Sequence, residues 1–215
     1  MTEQRIWDLP LRVFHWSLAL SVILAVITAR TGGNAMEWHM RLGYAVLTLL
    51  FWRLAWGFVG GHWSRFAAWP LWAWVRRSAS AESRPEFPGH SPRGAWASAG
   101  LLVLVGLQAL TGLVADDEIA TAGPWAARVD AQWSALATNY HHGLGQWLVL
   151  GMIALHLLAL SYYTWVRREA LVAAMVHGRK VLRRAAPDSG DGAKLRALGL
   201  LLGLCSLAMV LLLVS

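Results

Sequence analysis

The chain has 215 residues, 57% of them hydrophobic and only 14% charged, with a mean hydropathy of +0.45. A soluble domain carries roughly 25% charged residues, so the composition excludes an ordinary soluble fold and points to an integral membrane protein. The formal charge of +7 does not imply nucleic acid, because the arginines sit between apolar spans, where they report topology.

The N-terminal stretch MTEQRIWDLPLRVFHW mixes charges ahead of its apolar run and is followed by no small-x-small cleavage site. It is therefore expected to be retained as a first span, not removed as a signal. Five apolar spans follow one another, at about 13–29, 39–59, 94–115, 142–166 and 195–214. A membrane helix needs about 20 residues, and only a helix satisfies its own backbone in lipid. The first span is short unless Arg12 and Arg30 snorkel to the interfaces. Ser91 and Pro92 read as N-cap and first helical residue of the third span. The tract APDSGDG at 186–192 reads as a flexible linker into the fifth. The expected domains are thus a bundle over 1–185, a linker over 186–194 and an extra helix over 195–215.

Residues 60–93 carry Arg65, Arg76, Arg77, Arg84 and Arg93 against two acids, and residues 167–196 carry eight basic residues. By contrast, residues 116–141 carry Asp116, Asp117, Glu118 and Asp130 against Arg128 alone. The positive-inside rule places the first two loops in the cytoplasm and the third outside, with the N-terminus cytoplasmic. Fourteen tryptophans, among them Trp16, Trp38, Trp56, Trp63, Trp69, Trp72, Trp96 and Trp165, read as interfacial belts. The loop 62–77 reads as a segment lying along the cytoplasmic interface. One cysteine, Cys205, excludes an intramolecular disulfide, a cysteine zinc site and an iron–sulfur cluster.

An ionisable residue inside a span is by default a functional one. Four histidines lie within or at the ends of spans: His15, His39, His142 and His156. His142 and His156 stand 14 residues apart, which on a regular helix is about 21 Å of rise and about 40° short of four full turns. Both would face one side at opposite depths, which suits two stacked cofactors better than one metal ion, whose ligands must lie within a few ångströms. His15 opens span one at the cytoplasmic level of His156. His39 opens span two at the external level of His142. Two imidazoles from different helices at one depth are the simplest axial set for a b-type haem.

Each haem brings two propionates, which need cationic or donor partners. Arg53 and Arg12 are placed for the cytoplasmic pair, and Arg30 and Arg41 for the external one. Arg53 could equally snorkel. His90, in GHSP before span three, is either a propionate contact or an ordinary loop histidine. His141 points about 100° from His142 on a regular helix. It is read as facing the interface, with quinone binding as the alternative. No residue is expected to be catalytic in itself.

These stretches resemble the bacterial cytochrome b561 and nickel–iron hydrogenase b-type cytochrome family. The resemblance rests on IWDLPLRVFHW, HMRLGYAVLTLLFWRLAWGFVG, PGHSPRGA, LQALTGLVADDE, and HHGLGQWLVLGMIALHLLAL with RREALVAAMVHGRK. It implies an all-α integral membrane protein: a four-helix transmembrane bundle holding two b haems, with ligands at His15, His39, His142 and His156, plus a fifth C-terminal helix outside the matched part. Many members have an acid where this chain has Gly143. The resemblance implies electron exchange between the quinone pool and an external redox partner, such as a c-type cytochrome or a redox enzyme subunit, in a bacterial inner membrane. A rival is a stand-alone oxidoreductase passing electrons from a small molecule such as superoxide to quinone. Another is the cytochrome b subunit of a hydrogenase-like complex. A non-redox anchor and a transporter are further alternatives; against the transporter, no span shows paired interruptions. The quinone site fits either end, near Arg12, Trp16 and Arg53 or near Tyr140 and His141.

Overall fold

The computed structural model describes residues 2–71, 87–119 and 121–215. Trp72, Arg76, Arg77 and Arg84, and with them part of the 62–77 loop, lie outside the described residues. Seven α-helices and two short strands are present among the described residues. Five helical runs are long and apolar enough to cross a membrane: α1 (Leu9–Thr31), α2 (Ala35–Val59), α3 (Pro92–Val114), the run Ala131–Val166, and α7 (Ala193–Val214). With 23 residues, α1 is about 34 Å long, so it spans a core of about 30 Å without the snorkelling its apolar run alone required.

The run Ala131–Val166 is composite. It comprises α4 (Ala131–Asn139), a wide π-type stretch at Tyr140–Gly145, α5 (Gln146–Ser161) and a second π-type stretch at Tyr162–Val166. It begins eleven residues before the expected start because Asp130 caps it, its carboxylate accepting from the Gln132 amide at 2.9 Å. The cap expected at Ser91 is present, with the Gly94 amide donating to Ser91 Oγ at 3.2 Å.

The chain forms two compact units, with boundaries inside the long helices. The first comprises 1–13, 53–100 and 155–202. Here β1 (Thr2–Arg5) pairs antiparallel with β2 (Arg179–Leu182), Arg5 opposite Arg179. Between α5 and β2, α6 (Leu171–His177) ends on Gly178 at φ +81°. That left-handed position favours glycine, and an added Cβ would lie 2.6 Å from the Trp7 carbonyl oxygen. The Gly178 carbonyl in turn accepts from the amides of Ile6 and Trp7.

The tract 186–192 is tied down, contrary to the flexible linker expected. The Ser189 amide donates to the Arg5 carbonyl at 3.0 Å, the Ala186 amide to Gln4 Oε1 at 2.7 Å, and Asp191 ion-pairs with Arg5 and Arg196. The polar residues that suggested a loose loop are those that dock it. Trp56 is also no belt residue: it is fully buried, and its indole N–H donates to Asp8 Oδ1 at 3.2 Å. Asp8 accepts in addition from the Leu11 amide at 2.8 Å and from the Ser64 hydroxyl, so one buried carboxylate caps α1 and pins α2 and the segment after it.

The second unit comprises 14–52, 101–154 and 203–215. Val46, Leu50, Val105 and Val149 form one apolar cluster, and Leu47, Leu113 and Val210 form another. Residues 115–119 and 121–129 fold back on α3, with Trp125 N–H donating to the Leu113 carbonyl, while the Trp125 indole reaches the Leu213 carbonyl at the end of α7 at 2.6 Å. Much of the remaining helix surface is large and apolar, such as Leu204 at 66% exposure and Leu212 at 79%, as expected of a lipid-facing surface.

Candidate functional site

Within the second unit a cavity of about 720 Å³ lies among α1, α2, α3 and the Tyr140–Gly145 stretch. That is the size range of sites for substantial organic ligands. Its walls are mostly apolar, but three imidazoles line it: His39, His141 and His142. His39 Nδ1 bonds to the Ala25 carbonyl at 2.9 Å. A carbonyl only accepts, so Nδ1 carries the hydrogen and Nε2 keeps its lone pair. Metal-ligating histidines are commonly oriented in this way by a backbone carbonyl.

His141 does not face the interface as expected. Its Nδ1 bonds to the Gln108 carbonyl at 2.8 Å, and Gln108 Nε2 returns a bond to the His141 carbonyl at 2.7 Å. Its ring stands 6.0 Å from that of His39, nearly perpendicular at 82°, and 5.6 Å from that of His142. The 100° separation of neighbours on a regular helix does not apply here. The Tyr140–Gly145 stretch is π-type, and Gly143 has non-helical dihedrals of φ −103° and ψ −108°. The same wide turn removes the regular-helix premise behind the 14-residue phase between His142 and His156. Gly112 makes the room: a Cβ there would come within 2.8 Å of His141 Cε1. Gln108 escaped the sequence reading, although a lone amide in the apolar interior of α3 was a usable signal.

Of the two external arginines, Arg30 lines this cavity, its guanidinium 5.9 Å from the Trp147 ring. Arg41 is turned elsewhere: it pairs with Glu37 one helical turn away and stacks over Trp38 at 5.0 Å. The i, i+4 acid satisfies it locally, so its expected role as a propionate partner has no support in its contacts. Asp116, Asp117 and Thr121 of the acidic loop border the same cavity.

The first unit holds the other candidates. Arg53 does not snorkel: it is 3% exposed, over the rings of Phe66 at 4.6 Å and Trp69 at 5.4 Å. His90 packs between Trp7 and Trp69, with ring centroids at 4.9 and 5.0 Å. Burial pushes its imidazole down to about 3, with the Arg53 and Lys180 charges adding to the effect, so it is neutral. Arg53 Nη1, His90 Nδ1, Trp69 Nε1 and Arg12 Nε are all buried without a hydrogen-bond partner. Such orphans need an explanation, and an anion received among them supplies one. Arg12 Nη1 donates to the Val176 carbonyl. His156, in α5, is half-buried in this unit. His15, in α1, belongs to the second unit, is half-buried, and meets the Trp16 ring edge-on at 5.0 Å.

The residues present therefore fit a haem at the cavity of the second unit: imidazoles from two elements, tautomers held by backbone carbonyls, apolar walls and one cation.

Comparison with known proteins agrees with this chemistry. The family model described as prokaryotic cytochrome b561 matches residues 6–178. A probable Ni/Fe-hydrogenase B-type cytochrome subunit of Azotobacter chroococcum mcd 1 is 27% identical over 223 residues, covering 87% of this chain and 92% of that protein. Proteins with the same description from Azotobacter vinelandii and Bradyrhizobium diazoefficiens are 26% and 22% identical, covering 87% and 83% of this chain and 92% and 86% of theirs. No solved structure matches.

Proposed function

Because the chain belongs to the prokaryotic cytochrome b561 family, we propose that this b-type cytochrome moves electrons across the bacterial inner membrane through two haems. The observation that carries the reading is the cavity lined by His39, His141 and His142, in which backbone carbonyls anchor the rings of His39 and His141. Haem supplies a one-electron change at iron; the protein supplies ligation, a low dielectric and charge. His39 and His142 hold the external haem, with Arg30 for a propionate. For the cytoplasmic haem the sequence spacing pairs His15 with His156, and Arg53, Arg12 and His90 are the candidates to receive its propionates. The orphaned polar atoms of Arg12, Arg53, Trp69 and His90 in the first unit support a place for an anionic group there.

The basic loops all fall in the first unit and the acidic 116–118 loop in the second, which favours a cytoplasmic first unit. Electrons are exchanged between quinone in the membrane and a periplasmic partner. The relatives' descriptions favour a redox enzyme of the hydrogenase kind as that partner. The acidic loop bordering the cavity suits a positively charged docking face.

The test is haem stoichiometry with redox titration of the purified chain. Two b haems per chain are expected, with His39→Ala and His15→Ala each losing a different one. Loss of the same haem from both variants would refute the pairing. Charge reversal at Asp116, Asp117 and Glu118 should slow partner reduction, and an unchanged rate would remove the docking assignment.

A further inference from the structure

We propose, resting on the haem reading of this cavity, that the Tyr140–Gly145 stretch presents two usable imidazoles to the external haem, and that His141 serves as its ligand when His142 is absent. Three observations converge on His141. Its Nδ1–H is held by the Gln108 carbonyl at 2.8 Å, so the lone pair sits on Nε2. This is the same locked tautomer that the Ala25 carbonyl imposes on His39.

The two rings also stand at a distance suited to sharing one metal ion. A metal–imidazole bond is about 2 Å and the ring nitrogen lies about 1 Å from the centroid, so two imidazoles on opposite sides of one ion would have centroids roughly 6 Å apart. His39 and His141 are 6.0 Å apart and nearly perpendicular.

The wide Tyr140–Gly145 turn also places His141 and His142 on the same cavity. A π-type turn holds one more residue than an α turn, so a change of one residue in register exchanges which neighbour points inward. Gly112 leaves the space His141 needs. The Gln108 clamp, bonded to both the ring and the carbonyl of His141, keeps that ring oriented with or without a ligand bond.

The experiment compares wild type, His142→Ala, His142→Gln, His39→Ala and the His141→Ala/His142→Ala double variant, each purified from haem-replete cells. Haem per chain is measured by pyridine haemochrome and the spin state by electron paramagnetic resonance. Both His142 variants are expected to keep two low-spin haems, while the double variant keeps one or carries a high-spin external haem. The cytoplasmic haem, unchanged in potential, reports that each variant is folded. If His142→Ala and His142→Gln each lose a haem or turn it high-spin, the spare ligand does not exist. The two-haem reading still stands in that case, provided His39→Ala also loses the external haem. Wild type with no b-type spectrum overturns both.

Discussion

Asp8 is a buried group of the first unit with several hydrogen-bond partners, and its removal has a calculable cost. It is fully buried and accepts from the Leu11 amide, the Trp56 indole and the Ser64 hydroxyl. Burial pushes its carboxyl up, and the bonds from Ser64, Leu11, Trp56 and Gly61 pull it back. Asp8→Ala loses an N-cap worth about 1 kcal/mol. It also strands the indole and hydroxyl donors, each costing roughly 1–3 kcal/mol. The expected total is about 3–7 kcal/mol. For a chain of this size each kcal/mol moves Tm by about 2–4 °C, so the fall should be roughly 6–28 °C. Thermal melts in detergent, followed by far-ultraviolet circular dichroism, read it directly. The Asp8→Ala/Trp56→Phe double variant should be less destabilised than the sum of the singles, because the two share one bond. Asp8→Asn should fall between, since it keeps one acceptor oxygen but turns an NH₂ toward donors. A melt of Asp8→Ala within about 3 °C of wild type, by the same scaling, would refute the reasoning.

Three further outcomes are expected. Gly112→Val should push a side chain into the space of the His141 ring and alter the spin state or occupancy of the external haem, read by electron paramagnetic resonance, while the cytoplasmic haem is unchanged. Arg53→Ala removes a buried cation and, if Arg53 serves the proposed cytoplasmic haem, should lower that haem's midpoint potential in a redox titration, because a nearby positive charge disfavours the more positive ferric form and its removal relieves that penalty. His90 is held neutral in the fold, whereas an unfolded imidazole takes a proton near pH 6.5. The unfolded state therefore binds more protons below that point, and stability, complete above about pH 6.5, declines as pH falls toward 3. His90→Phe should flatten the loss between pH 7 and pH 5, about 2 kcal/mol in wild type, and an unchanged slope would remove His90 as its source.

Much of the membrane architecture was readable because lipid imposes one rule on length and polarity. Five spans and the Ser91 cap follow from that rule and from capping chemistry. The cavity histidines were readable because imidazoles are costly in such spans. The wide turn at Gly143 was not, since the sequence HHGLG carries no signal separating a π-type turn from a regular one, and with it went the direction of His141. The burial of Asp8 was hidden because an aspartate before a helix looks the same whether its second oxygen meets water or an indole. β1 and β2 were missed because TEQR and RKVL lack apolar alternation; what pairs them is the anchoring of Ile6 and Leu182, both buried to within 1%.

The strand pair also sets an order of assembly. Glu3 and Arg179, which touch across it, are 176 positions apart. At about 5–20 residues per second, a ribosome finishes the second strand roughly 10–35 s after the first. Throughout that interval the first strand has no mate, and neither Ser189 nor Asp191 exists to fasten Arg5. The cap over the first unit is thus a late closure, made only after the fourth membrane run has been synthesised.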